Sequence, residues 1–161
     1  MSAATYCTAC AGVLDVSGRH PVCTACGRVH HRDPKVGVGV VVLDDRGRLL
    51  LVRRGVSPGK GLWALPAGFV DAGEDPRAAA AREALEETGL AVEVGAVVDV
   101  YPTGSTRGAS FFLAFQARVV GGTLAAADDA LDAGWFGADD LPELAFASTQ
   151  EAADRVRRAA R

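Results

Sequence analysis

The chain has 161 residues, enough for one ordinary domain or for a compact domain with a small appendage. Its 17 basic and 20 acidic side chains leave a formal net charge of -3, which argues against a surface that holds long nucleic acid through clustered Lys and Arg. Hydrophobic residues make up 49% and exclude a disordered chain, but 30 residues are alanine, so the stock of large core side chains is modest.

The first six residues carry no basic segment followed by an apolar stretch, so no signal peptide is readable and the expected location is cytoplasmic. All four cysteines follow within the first 26 residues, as Cys7-x2-Cys10 and Cys23-x2-Cys26. A C-x2-C turn delivers two sulfurs to one ion, and two such turns complete a tetrahedral zinc shell with no open position. The reading is structural zinc; disulfides or free thiols are the alternative, disfavoured in a reducing compartment. His20, His30 and His31 lie nearby, but the ligand set is complete without them. A segment this short cannot build a core, so the metal supplies its folding free energy.

The polar, proline-marked stretch 31–35 divides a ribbon at 1–33 from a domain at 34–161. Residues 36–43 read as a buried strand, 44–47 as a turn, and 48–53 as a returning strand that completes a hairpin. The longest apolar run, 36–43, is too short to cross a bilayer, so no membrane is expected. A glycine-rich loop at 55–61 leads to Leu62, Trp63, Ala64, Leu65 and Pro66. Asp75 suits an N-cap, Pro76 the first helical position and Gly89 the left-handed residue after the last turn, which predicts a helix between them. Residues 91–101 and 110–120 are β-rich antiparallel neighbours, 121–132 is loop-like, 133–136 a short strand, and 149–161 an amphipathic helix. That helix turns Ala152, Val156 and Ala159 or Ala160 inward. This order predicts an α+β fold, an α/β/α sandwich around a mixed sheet.

Glu83, Glu86 and Glu87 stand at i, i+3 and i+4 and share one helical face. Like charges there repel, and the only lysines in the chain, Lys35 and Lys60, are elsewhere. The face is either a solvated acidic patch or a site for a hard divalent cation such as Mg²⁺ or Mn²⁺. The preceding Pro66, Ala67, Gly68 and Gly73 form a bent entry able to offer a backbone carbonyl to the same ion. Glu74 can return to Arg82, which lies four residues before Glu86.

From Gly68 to Leu90 the chain is similar to the signature of Nudix hydrolases, Gly-x5-Glu-x7-Arg-Glu-U-x-Glu-Glu-x-Gly-U, with U a bulky apolar residue. Only Ala84 departs, small where a bulkier residue is usual. The ribbon, Asp33-Pro34-Lys35 and the stretch 61–74 resemble the branch that includes nicotinamide-dinucleotide, ADP-ribose and flavin-dinucleotide pyrophosphatases. The resemblance implies a Nudix α/β/α sandwich behind a zinc ribbon, with Glu83, Glu86, Glu87 and the Ala67 carbonyl holding Mg²⁺ or Mn²⁺. It makes Glu74 and Arg82 a structural pair. It implies hydrolysis of a nucleoside diphosphate linked to another moiety, through attack of water on phosphorus. The general base is one of the glutamates or a downstream acid, Asp128, Asp129 or Asp132, with Asp129 the named candidate.

Several features bear on the substrate. A Ser-Gln-Pro-Trp-Trp motif of the nicotinamide branch is replaced here by Tyr101-Pro102-Thr103-Gly104-Ser105. Pro102, twelve residues past Leu90, lies near but not on the position of a proline that marks many ADP-ribose enzymes, and residues 144–148 resemble flavin-dinucleotide relatives. Arg53 and Arg54 could meet phosphate, and Phe69, Tyr101, Phe111 or Phe112 could stack on a base. ADP-ribose or FAD is favoured, with a triphosphate pyrophosphatase as runner-up. A non-catalytic nucleotide-sensing or nucleic-acid-binding module is the alternative of another class. A small-molecule nucleotide is the expected partner, with no stable nucleic-acid partner; pairing as a homodimer is open.

Overall fold

The computed structural model describes residues 6–31, 33–103 and 109–159. Residues 1–5, Arg32, Gly104, Ser105, Ala160 and Arg161, on which some of these readings rest, lie outside that set. The chain divides into two compact units, Met1–Pro34 and Lys35–Arg161.

In the first unit two short strands pair antiparallel, β1 (Leu14–Asp15) with β2 (Val22–Cys23). Its buried apolar residues are Cys7, Leu14 and Cys23, while Tyr6, Val13, Val16 and Val29 are exposed. The two cysteine turns repeat one geometry. Ala11 donates its N–H to the Cys7 carbonyl, and Gly27 does the same to Cys23. Ala11 (φ 57°) and Gly27 (φ 70°) both adopt the left-handed conformation that folds the chain back around sulfur. All four sulfurs lie within 4.8 Å of one another, a cluster compatible with a zinc ribbon.

The second unit contains two sheets. The first has the order β6 (Ala67–Phe69), β3 (Val36–Val42), β8 (Phe111–Gly122), β7 (Leu90–Pro102); β3 and β8 run parallel and the other pairs antiparallel. The second is antiparallel, in the order β5 (Trp63–Ala64), β4 (Leu49–Arg54), β9 (Ala130–Phe136). Alternation along the strands builds both cores. Val38, Val40, Val42, Leu50 and Phe115 pack against Ala79, Ala80 and Ala84 of α1 (Pro76–Thr88). Val41, Leu49, Leu51, Tyr101 and Ala114 pack against Ala152, Ala153 and Val156 of α2 (Ala147–Ala159). The strands thus separate the two helices, giving the expected α/β/α sandwich around a mixed sheet. The alanines are useful here: with no bulk at 79, 80 and 84, α1 lies close on the sheet.

Three elements differ from the sequence reading. Strands β3 and β4 do not form a hairpin; they touch at one bridge, Leu43 with Leu49, and then enter different sheets. Both edges of β3 are taken, by β6 and β8, and both edges of β4 by β5 and β9, so neither has a free ladder for the other. Residues 67–69, expected as a bent loop, form an edge strand on β3. In α2, Ala159 is exposed and Ala153 takes the inward place. The termini of α1 match the reading: the Asp75 carboxylate accepts the Arg77 N–H at 2.7 Å, and Gly89 (φ 69°) donates to the Leu85 carbonyl at 2.9 Å. No helix among the described residues is long and apolar enough to cross a membrane.

Candidate active site

One cavity of about 870 Å³ opens over α1 and is lined by Glu83, Glu87, Arg82, Asp71, Asp129, Lys35 and Arg54, with Ala67, Gly68 and Phe69 at its wall. The carboxylates are fixed from below. Arg82 makes a bidentate contact to Glu74, at 3.0 Å from both Nε and Nη2, and Nη2 also donates to the Phe69 carbonyl at 3.1 Å. Its Nη1 donates to Glu83 at 2.8 Å and Glu86 at 3.0 Å, so one guanidinium ties the loop to the helix and orients two glutamates. Glu74 is held well below the usual carboxylate range, chiefly by those Arg82 bonds and also by the Asp71 N–H.

Glu87 is only 4% exposed, and its Oε2 accepts the Ala67 N–H at 2.8 Å. Burial pushes its carboxyl up to about 8; the Ala67 amide opposes the shift, while Asp129 and Glu83 add to it. Glu83 is also raised, again chiefly by burial, although Arg82 pulls the other way. Glu86 is half-exposed and lies outside the cavity lining.

Strand β6 explains the Ala67 contact. Val70 donates to Val36, and Val40 donates to Pro66, so the β3–β6 ladder runs through residues 66, 68 and 70. The amide and carbonyl of Ala67 therefore both point off the free sheet edge, toward the carboxylates. Gly68 at the next position leaves room for Glu83, because a Cβ there would overlap the carboxylate where it stands and force it to move.

Asp129 lines the cavity beside Glu87, whereas Asp128 is outside its lining. Their loop is pinned to the end of α1, where Ala125 donates to the Thr88 carbonyl at 2.9 Å and Ala127 to the Glu87 carbonyl at 3.2 Å. Gly55 donates to the Asp129 carbonyl at 2.8 Å. Asp132 is placed instead on β9 opposite Arg53.

A second lobe of about 630 Å³ shares Arg54, Pro58, Ala67, Gly68 and Phe69 with the first and continues between Tyr101, Phe112 and Phe146. Arg54 sits at the junction, its guanidinium 5.2 Å from the Phe146 ring centre, with Nε bonded to the Pro58 carbonyl at 2.8 Å. Of the candidate contacts, Arg54, Phe69 and Tyr101 line this space, whereas Arg53 and Phe111 do not. Arg53 is bonded through Nε to the Gly61 carbonyl. Phe111 fails by strand parity: its neighbour Phe112 occupies the lobe and covers Gly37 and Gly39, where a Cβ would crowd the ring. The Gly-x-Gly spacing on β3 is the sequence signal that distinguishes the two. Lys35, Asp71 and Phe146 were not singled out from the sequence; they are gathered here by β3, β6 and the start of α2.

In the cysteine cluster, Cys7 and Cys26 sulfurs are 3.8 Å apart and those of Cys10 and Cys23 3.5 Å, well outside the about 2.05 Å of a disulfide. Cys7 is drawn down to about 7, first by the Ala9 N–H, and Cys23 to about 6, first by the Cys26 N–H. Cys10 is pushed up to about 12: the Gly12 N–H favours its thiolate, but the sulfurs of Cys26 and Cys23 outweigh it. Crowded thiolates of this kind suit a cation between them. His30, read as a bystander, lies with Nε2 3.3 Å from the Cys7 sulfur.

The chain is similar to known proteins over most of its length. The model of the NUDIX domain matches residues 33–158. An ADP-ribose pyrophosphatase of Methanocaldococcus jannaschii is 42% identical over 115 residues, 70% of this chain and 68% of that protein. An NAD-capped RNA hydrolase NudC of Chromobacterium violaceum is 35% identical over 94% of this chain, which spans only 59% of the relative's length. A crystal structure of a NUDIX hydrolase from Nitrosomonas europaea superimposes with a TM-score of 0.83 at 26% identity, covering 97% of this chain and 93% of that one. The chain belongs to the Nudix family, hydrolases of pyrophosphate bonds.

Proposed function

We propose that this protein hydrolyses the pyrophosphate bond of a nucleoside diphosphate linked to a second moiety, with ADP-ribose or a dinucleotide such as FAD favoured, and releases a nucleoside monophosphate. One observation carries the reading: buried Glu87 and partly buried Glu83 line a cavity that shares a wall with an aromatic lobe. An anionic diphosphate fits beside carboxylates only if a cation lies between them. The donor set suits a hard divalent ion: two carboxylates raised chiefly by burial and further by acidic neighbours, and an Ala67 carbonyl left off the sheet ladder. Glu83, Glu86, Glu87 and that carbonyl are assigned as ligands of Mg²⁺ or Mn²⁺. Such an ion, when bound, neutralises phosphate charge and acidifies water.

The chain's own residues do the rest. Arg82 keeps Glu83 and Glu86 in place, and Gly68 leaves room for Glu83. As water's oxygen bonds to one phosphorus, the bridging P–O bond breaks and the water proton passes to a carboxylate; Asp129 and the glutamates beside it are the available bases. Arg54 lies where a diphosphate would pass from one lobe to the other, and Phe112, Tyr101 and Phe146 offer ring faces to a planar base. The name of the archaeal relative supports ADP-ribose. A triphosphate substrate is the second reading, supported by a putative 8-oxo-dGTP diphosphatase of Bacillus subtilis that is 46% identical over 40% of the chain. The four cysteines are assigned to one structural zinc ion. A panel of ADP-ribose, FAD, NADH and nucleoside triphosphates with Mg²⁺ or Mn²⁺, with products identified, tests the reading. AMP from ADP-ribose or FAD is expected, and turnover confined to triphosphates would replace the first reading with the second.

A further inference from the structure

Lys35 has no part in the carboxylate machinery, yet it lines the same lobe as Glu83, Glu87 and Asp129. Its backbone is fixed by the Ser110 N–H, which donates to the Lys35 carbonyl at 2.8 Å just before β3 enters the parallel ladder with β8. Its ammonium lies 5.0 Å from the centre of the Phe69 ring. Phe69 directly follows Gly68 on β6 and is 45% exposed, so the ring forms a seat at the rim of the lobe.

The other cations of the lobe are committed. Arg82 spends its donors on Glu74, Glu83, Glu86 and the Phe69 carbonyl. Arg54 is bonded to Pro58 and stacked on Phe146 at the junction with the aromatic lobe. Lys35 makes no ion pair among the described residues, although Asp71 lines the same lobe. An ammonium seated on an aromatic face still has N–H donors directed away from the ring for a ligand. Lys35 lines the metal lobe and not the aromatic one, whereas Arg54 lines both.

We propose that Lys35, seated on Phe69, binds the phosphate of the diphosphate that lies farther from the aromatic lobe, and so positions the second phosphorus. This rests on the reading of the cavity as a diphosphate site. It deepens that reading by requiring two linked phosphates, one toward Arg54 and one at Lys35. A Lys contact is a point charge, tolerant of what the second phosphate carries.

The test measures binding in Mg²⁺ of α,β-methylene-ADP, which has two phosphates and resists cleavage, and of AMP, which has one. Lys35→Met keeps the stem and removes the charge. It should weaken α,β-methylene-ADP on the order of tenfold while changing AMP less than about twofold, and Lys35→Arg should recover most of the loss. Phe69→Leu should give a smaller loss in the same direction. Thermal melts of each variant establish that the fold persists. Equal losses on both ligands, or none on either, would overturn the assignment of Lys35. Failure of the wild-type protein to bind either nucleotide or to turn over any diphosphate would remove the underlying reading as well, and is visible without the variants.

Discussion

Gly68 illustrates how much one missing methyl decides. A Cβ there would overlap the Glu83 carboxylate. Gly68→Ala should therefore displace Glu83 and lower Mg²⁺-dependent kcat about tenfold or more, with little change in Tm. An unchanged kcat would mean that Glu83 has another place to stand. Glu87 adds a pH dependence whose sign can be worked out. Folded Glu87 holds its proton up to about pH 8, whereas the unfolded chain releases it near 4.5. Between those values the folded state binds more protons, so this group's contribution is present at low pH and is lost as pH rises. In metal-free protein, Tm should fall between about pH 5 and about pH 8, and Glu87→Gln should flatten that slope. A metal-free wild-type Tm that rises through this window with the same slope in the variant would show that Glu87 is not the buried acid described.

At the scale of elements, α1 was the most legible part of the chain, because its signals are local. Asp75, Pro76 and Gly89 act within one turn of themselves, and each occupies its expected place. Asp75→Ala should cost about 1 kcal/mol and lower Tm by roughly 3–5 °C without altering KM. A Tm unchanged within error would argue that the Arg77 N–H finds another acceptor. The hairpin expected at 36–53 is absent, because two apolar strands joined by a turn look alike in sequence whether they pair or part. Which edges are already filled is decided by β6, β8, β5 and β9, which are distant in sequence. The same limit applies at the site. Glu83, Glu86 and Glu87 share a helix and were readable together, but Asp129 reaches them only through the loop bonded to the Glu87 and Thr88 carbonyls. Phe111 and Phe112 are told apart by parity against Gly37 and Gly39, a signal that becomes readable only with the register of β8 on β3.

At the scale of the whole molecule, two units differ in what holds them together. Among its described residues the first buries Cys7, Cys23 and Leu14 and leaves five bulky apolar side chains, Tyr6, Val13, Val16, Val22 and Val29, in water, so hydrophobic burial alone is inadequate to hold it. The second has two apolar cores, one under each helix. Removing metal with a zinc chelator should release about one zinc per chain and unfold residues of the first unit. The second should keep a cooperative thermal transition. Protein purified without chelator that contains no zinc would contradict that division. His30, beside the Cys7 sulfur, is the part of this unit that composition alone did not reveal, since nothing in its spacing separates it from His31.

Glu83 and Glu87 beside an aromatic lobe are proposed to make this chain a divalent-ion-dependent diphosphate hydrolase. The most direct test of this proposal is the release of AMP from ADP-ribose by wild type and Glu87→Gln, each with and without Mg²⁺. Turnover by wild type only when Mg²⁺ is present, and a loss of about a hundredfold or more in a variant that melts as a folded protein, is the expected result. Near-normal AMP release by Glu87→Gln, or release independent of any divalent ion, would contradict it.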